Sequence, residues 1–271
     1  MKKHPWMEGN QLKVIVLGAG NLSYHLTPRL ALHGIRVLQI YSRNIKNAGE
    51  IARQVNATPV GSIKDINQGA DLYLFMVRDD AIDVLIKTGH FNNKNLVHFA
   101  GVVPMNIFNP YSGNQGVIYP LQTFSKNEQI DYDNIPVFLE SSNTKMKAMI
   151  EMVSSPLFKI IHHNNSKQRA FLHLSAVFAC NFSNFMLGIA RELAGKDSFD
   201  MLKPLMQETL NKGFRSSPFE NQTGPAKRND TNTINKHAEM LKDYPDFKKI
   251  YNFMSEKISG YYLKKEGKTD E

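Results

Sequence analysis

The sequence predicts an α/β fold, a doubly wound and mostly parallel sheet followed by an all-α second domain. Three observations carry that prediction. Short apolar runs alternate with helix-like segments from Leu12 to about His163, the pattern of strands joined by crossover helices. The runs are continuously apolar rather than alternating, as expected of a sheet covered on both faces. After Lys167 the pattern turns wholly helical.

Eight strands are expected, over 13–18, 36–42, 58–60, 71–77, 96–101, 116–120, 135–141 and 158–163. Helices fall between them near 22–33, 46–54, 80–88 and 143–153. Pro28 lies inside the first, where an interior proline costs about 3 kcal/mol and bends the axis, so a kinked helix is expected. In the second half one long helix runs from Lys167 to Leu193, with others near 199–212, 230–242 and 245–258. The stretch "NKGFRSSPFENQTGPAKRN" reads as an ordered loop on its Gly, Pro, Ser and Asn content. The domains follow: a tail over 1–11, an α/β domain over 12–164 and a helical domain over 165–271.

At 271 residues and 42 % hydrophobic content the chain can bury a real core. The net charge of +8 favours anionic ligands, but the lysines are scattered, so a nucleic-acid surface is not expected. The single cysteine, Cys180, excludes an internal disulfide and a Cys-rich zinc site; no metal set stands out, and a reducing, cytoplasmic setting fits. The start "MKKHPWMEGNQLK" lacks the apolar run of an export signal. The most apolar stretch, 171–190, carries His173, Ser175, Asn181, Ser183 and Asn184. Lipid penalises such a load, so a buried helix is expected and not a membrane span.

"VIVLGAGNLS" sets Gly18, Gly20 and Ser23 in the spacing GxGxxS between a strand and a helix. The first glycine permits a tight turn, the second a close backbone approach by a pyrophosphate, and the small serine close helix packing. Gly18, Gly20, Asn21, Leu22 and Ser23 would then hold a dinucleotide at the helix N-terminus. A Gly-rich turn without ligand is the plain alternative. The context makes the sheet Rossmann-type. Where a carboxylate at the end of the second strand would select NAD, this chain has Ser42, Arg43 and Asn44. With no carboxylate to repel a 2′-phosphate and three groups able to bind one, the motif points to NADP(H).

Further strand ends should overhang the same crevice. Val77 and Arg78 would lie near the nicotinamide ribose, with Asp79 or Asp80 capping the next helix. Ala100 and Gly101 leave room for the cofactor to pass, and His98 reads as a core residue. Gln122 and Thr123 could hold a carbonyl or carboxylate. On the long helix His173, Val177 and Asn181 fall at i, i+4 and i+8, one broad face. There His173 would donate a proton and Asn181 orient a substrate; buried polar residues satisfied by backbone are the alternative. Asp230 reads as the N-cap of a helix carrying His237, and Arg228 beside it could grip an anionic substrate.

Taken together, "GAGNLS", "YSRN", "HFAG", "PLQTFS", "LHLSAVFACNFSN" and "TGPAKRND" resemble the Rossmann-like NADP oxidoreductase family that pairs a dinucleotide domain with a helical domain of unknown function. The family is similar in architecture to pyrroline-5-carboxylate reductases, deazaflavin-dependent NADP reductases and the 6-phosphogluconate dehydrogenase-like group. The resemblance implies cofactor binding in the first domain and a homodimer through the second. Departures narrow the chemistry. Hydroxyacid dehydrogenases carry a lysine four residues before an asparagine on the long helix, whereas Val177 precedes Asn181 and Cys180 precedes Asn184 here. The Ser-Gly-Ser-Gly run of pyrroline-5-carboxylate reductases is absent. Asn229 stands where glycine is expected, and asparagine tolerates the left-handed conformation. The expected activity is hydride transfer to or from a small carbonyl or imine compound held between the domains, with no nucleic-acid or membrane partner. A non-catalytic NADP-binding sensor or assembly module is the other reading.

Overall fold

A computed structural model describes residues 11–265 and 267. Of the tail expected over 1–11, all but Gln11 lies outside the described residues. The eight expected strands form: β1 (Lys13–Leu17), β2 (Arg36–Tyr41), β3 (Thr58–Val60), β4 (Leu72–Phe75), β5 (Leu96–His98), β6 (Gln115–Pro120), β7 (Pro136–Ser141) and β8 (Ile160–His163). They make one sheet of order β3-β2-β1-β4-β5-β6-β7-β8. The crossovers are α1 (Asn21–Leu32), α2 (Ile45–Val55), α3 (Asp79–Thr88) and α4 (Thr144–Ser154). Every neighbouring pair is parallel except β6 and β7. The link between those two carries only a short 3-10 turn, Tyr132–Asn134; without a crossover helix the chain returns antiparallel. With α4 between β7 and β8 it becomes parallel again.

Alternation along β1 explains its continuous apolar run. Val14 and Val16 enter one core with Leu26, Leu30 and Ile51. Ile15 and Leu17 enter the opposite core with Tyr73, Phe75 and Phe91. All four β4 residues are buried for the same reason. Pro28 does not interrupt α1.

Beyond β8, Asn165 and Gln168 form a reciprocal capping box, with bonds of 2.9 and 3.0 Å, which starts α5 (Ser166–Ala176). One turn in, Arg169 is 1 % exposed. Its guanidinium pairs with Glu140 of β7 and donates to the Val103 carbonyl at 2.6 Å. This holds α5 to the sheet, so the two compact units divide between Ala179 and Cys180 and not at the expected 164/165. A π-helical segment, Val177–Phe182, follows α5 and leads into α6 (Ser183–Ala194). The remaining helices are α7 (Lys196–Phe199), α8 (Lys203–Arg215), α9 (Thr231–Met240) and α10 (Pro245–Lys265). The helix expected near 199–212 is thus two, split by a 3-10 turn at Asp200–Leu202.

One expectation fails outright. The long helix is not buried: Phe171, Leu174, Phe178, Phe182 and Phe185 are 49–63 % exposed. An apolar pattern reports that something covers a surface, not that the same chain does. The helix Ser166–Ala194, 29 residues with an 18-residue stretch of mean hydropathy 1.4, is long and apolar enough to cross a membrane by length and composition alone.

His98 in β5 is fully buried and its Nδ1 accepts the Ala100 N–H at 3.2 Å. Burial, then the Arg169 charge, push its pKa from 6.5 down to about 3, with the Pro104 carbonyl opposing. Between those two pH values the unfolded chain binds a proton that the folded chain refuses. Stability is therefore full above pH 6.5 and falls on acidification by up to about 1.4 kcal/mol per pH unit from this group. His98→Asn, whose Oδ1 can still accept the Ala100 N–H, should flatten the acid limb of urea stability measured between pH 6.5 and about 3. Parallel limbs in the two proteins would clear His98 of the effect.

Candidate active site

The turn from β1 into α1 meets the demands of a phosphate cradle. Gly18 has φ +119°, and a Cβ there would lie 2.1 Å from the Met76 carbonyl oxygen and 2.9 Å from Val77 Cγ1. Only glycine fits. Gly20 is the N-cap of α1 with φ −87°, and a Cβ added to it would meet nothing within 4 Å. No side chain caps α1 and its first turn has no acid. The N–H groups of that turn therefore face open space at the positive end of the helix. Ser23 is buried, its Oγ 3.2 Å from Thr27 Oγ1, and Leu22 packs against the core. The Asn21 side chain turns away to donate to the Phe124 carbonyl at 2.8 Å, so its contribution to the cradle is its backbone N–H.

At the end of β2, Ser42 Oγ accepts the Asn44 N–H at 3.2 Å. Asn44 Oδ1 in turn accepts the Lys46 N–H at 3.1 Å, capping α2. Both side chains keep a free donor, the Ser42 hydroxyl proton and the Asn44 amide. Arg43 is exposed, and among the described residues it makes no ion pair or hydrogen bond. A cation with two donors beside it, at a strand end without a carboxylate, fits a phosphate.

The ends of β4, β5 and β6 bring the chemistry together. Val77 closes on the glycine turn, while Arg78 forms a bidentate pair with Asp80 at 3.2 and 3.1 Å. The expectation that Asp79 or Asp80 caps α3 is corrected: Arg78 is the N-cap and no side chain caps the helix. The two acids lie in the first turn, where the helix dipole favours them without a capping bond. The expected room at Gly101 is also taken. A Cβ there would lie 2.4 Å from His173 Nδ1, so this glycine admits an imidazole. Ala100 is buried, with its N–H bound to His98.

His173 on α5 is hydrogen-bonded through Nδ1 to the Tyr119 hydroxyl of β6 at 2.9 Å. Burial, and then the Asp79 carboxylate, raise the Tyr119 pKa against the pull of Arg169. Partial burial raises Asp79 above the usual carboxylate range, with His173 opposing and Asp80 adding to the rise. Asp79, Tyr119 and His173 thus sense one another at the carboxyl edge of the sheet. Gln122 and Thr123 are exposed just beyond, and Gln122 Oε1 folds back to accept the Thr123 N–H at 2.8 Å.

The expected face of His173, Val177 and Asn181 presumes a regular α-helix, whereas a π segment with i→i+5 bonding begins at Val177. Asn181 is exposed. In the second unit Asp230 caps α9, accepting from the Thr233 N–H at 3.1 Å and hydroxyl at 2.7 Å. These bonds, the backbone one first, hold its pKa down. His237 on the same helix bonds Tyr251 at 2.8 Å. Arg228 is exposed, and Asn229 takes the expected left-handed conformation at φ 52°.

Residues 135–258 match the family described as a domain of unknown function, DUF2520. A crystal structure of a candidate NADP oxidoreductase from Bacteroides fragilis shares 36 % identity, covering 92 % of this chain and 98 % of that one at TM-score 0.81. The chain belongs to this family. More distant structures share the fold alone. A reductive aminase from Aspergillus terreus, solved with NADPH and ethyl levulinate, is 13 % identical over 96 % of this chain and 95 % of that one, TM-score 0.70. An arogenate dehydrogenase from Synechocystis is 16 % identical over 94 % and 87 %, TM-score 0.53. No curated protein matches the chain.

Four members of the site were missed in the sequence. Tyr119 sits inside the strand run "GVIYP" and reads as core. Asp79 reads as a cap. Arg169 and Glu140 are far apart in sequence, although Arg169 precedes His173 by four residues, the one signal that could have marked it. The two cradle glycines make separable predictions. Gly18→Ala should destabilise the chain by about 3 kcal/mol or more, since both φ and space forbid it. Gly20→Ala should leave the urea midpoint near wild type and weaken dinucleotide binding. Equal effects on stability would refute the assignment of the open space at Gly20.

Proposed function

We propose that this DUF2520 family member is an NADP(H)-dependent oxidoreductase that acts on a small carbonyl or imine compound. Its cofactor is NADP(H), whose nicotinamide supplies or accepts the hydride. The observation that carries the reading is the 2.9 Å bond between Tyr119 and His173, lying at the same sheet edge as the uncapped start of α1. The Gly18–Ser23 turn binds pyrophosphate through backbone N–H groups. Ser42, Arg43 and Asn44 bind the 2′-phosphate. Because its pKa is raised, Tyr119 keeps its proton and donates it to Nδ1, which leaves the His173 ring proton on Nε2. That proton passes to a substrate oxygen or nitrogen as hydride arrives, while the hydrogen-bonded Tyr119 proton shifts to Nδ1 so that the ring stays neutral and solvent then reprotonates the phenolate. Gln122 and Thr123, at the end of the same strand as Tyr119, orient the carbonyl or imine.

A second copy of the chain is the proposed cover for the apolar stripe of α5 and α6, and the cytoplasm is the proposed setting for a free, exposed Cys180 thiol. The test is a fluorescence titration with NADPH and NADH on wild type, Arg43→Glu and His173→Ala. If the phosphate contact contributes about 1.5–3 kcal/mol, wild type should prefer NADPH by roughly ten- to a hundred-fold. Arg43→Glu should lose that preference. His173→Ala should bind NADPH as wild type does and turn over no member of a panel of small ketones, aldehydes and cyclic imines that wild type reduces. Tighter binding of NADH would remove the 2′-phosphate assignment. A wild type that reduces nothing in the panel would favour a non-catalytic binding module.

A further inference from the structure

We propose that Arg169 and Glu140 are positioning residues for His173, fixing the rotation and height of α5 that aim the imidazole at Tyr119. The functional half of this inference rests on the proposed role of His173; the structural half does not. Arg169 and His173 lie four residues apart on α5 and so share a face. The buried Arg169 guanidinium reaches Glu140 on β7 and the Val103 carbonyl in the segment after β5. Ser166, three residues before it, donates to both Glu140 oxygens at 2.9 Å and accepts the Met105 N–H at 3.0 Å. Gly101, whose missing Cβ makes space for His173, belongs to the segment that also carries Val103 and Met105. The stretch from 101 to 105 thus holds α5 at two heights, by the imidazole at one and by the Arg169 and Ser166 groups at the other.

A buried ion pair is a poor device for stability alone, because apolar side chains of similar volume hold a helix to a sheet equally well. Apolar packing lacks direction, whereas a guanidinium fork is satisfied at one orientation. Sliding α5 by a single residue moves it about 1.5 Å and turns it about 100°. That displacement removes the imidazole from the 2.9 Å bond to Tyr119. The Arg169 charge also reaches Tyr119, opposing the upward push of burial and Asp79. The charged and titratable groups that act on this hydroxyl are Asp79 at the start of α3, and Arg169 and His173 on α5.

The test uses the full chain labelled with ¹⁵N-histidine, the ring resonances of His173 being identified by their loss in His173→Gln. Wild type should show one tautomer, with Nδ1 the acceptor. In Glu140→Gln the ring resonances should move to the averaged position of a freely exchanging imidazole while NADPH affinity stays that of wild type. Unchanged His173 resonances in a folded Glu140→Gln protein would overturn the proposal. Should the unpaired Arg169 charge prevent folding, the double variant Arg169→Met with Glu140→Gln removes both charges and is read in the same way. If that variant also fails to fold, the pair is structural support and the proposal is wrong. A wild-type chain that does not bind NADPH would sink the proposed function yet leave the resonance comparison standing.

Discussion

The site depends on a constraint at a single residue, the absence of a side chain at Gly18. Its N–H donates to the Tyr41 carbonyl at the end of β2 at 2.8 Å. The space for its missing Cβ is filled by Met76 and Val77 at the end of β4, and the preceding Leu17 carbonyl accepts the Met76 N–H at 2.8 Å. Three strand ends meet at that glycine. With any Cβ there, β4 would have to withdraw from β1, and the crevice where the strand order reverses would open. Because the turn is that tight, α1 starts almost at the sheet edge and presents its N–H groups to the crevice. The position of the residues proposed for the 2′-phosphate is inherited from the same contact, since Ser42 follows Tyr41 directly.

The antiparallel return from β6 to β7 has a second consequence. Lacking a helix, the connection crosses the outside of α1. The Phe124 and Ser125 carbonyls accept from Asn21 and His25, each at 2.8 Å, and the Arg29 guanidinium lies 3.9 Å from the Tyr132 ring centre. Lys126 reaches Glu50 of α2 at 3.1 Å. That last pair is partly exposed and contributes no more than about 1 kcal/mol, so the part-buried His25 bond and the ring contact do most to hold the connection. The cradle helix is thereby clamped between the sheet and a strap. Gln122 and Thr123, at the start of that strap, stand where β6 leaves the crevice, beside the strand that carries Tyr119.

What the sequence reveals and what it hides divide along physical lines. All eight strands and the four crossover helices are legible because a sheet covered on both faces needs continuous apolar runs, and Gly18 and Gly20 announce the turn between two of them. Periodicity records local structure. It cannot tell that Tyr119 faces His173, because that contact spans 54 positions and each partner looks like core in its own segment. Nor can it see the π segment, since "VFACNF" has the composition of an ordinary helix and one extra residue per turn leaves no mark in a residue count. Asp79 was misread for a related reason: an acid at a helix start is usually a cap, and only the tertiary structure brings its charge within reach of Tyr119 and His173.

The exposed face of α5 and α6 can be weighed by magnitude. Fully burying a large apolar side chain stabilises by roughly 1.5–3 kcal/mol. Phe171, Leu174, Phe178, Phe182 and Phe185 are about half exposed, so covering the five would yield about 5 kcal/mol. That is a large share of the stability of an ordinary domain, and it is a term that association can recover. Lipid would recover it too, but Asn181 and Asn184 are exposed on the same helix. In hydrocarbon each amide loses its water partners at several kcal/mol, which cancels the gain. An interface between protein chains keeps that gain, because water and facing polar groups at its margin can satisfy both amides. On that balance a second protein surface, the cover proposed for this helix, costs less than a bilayer would.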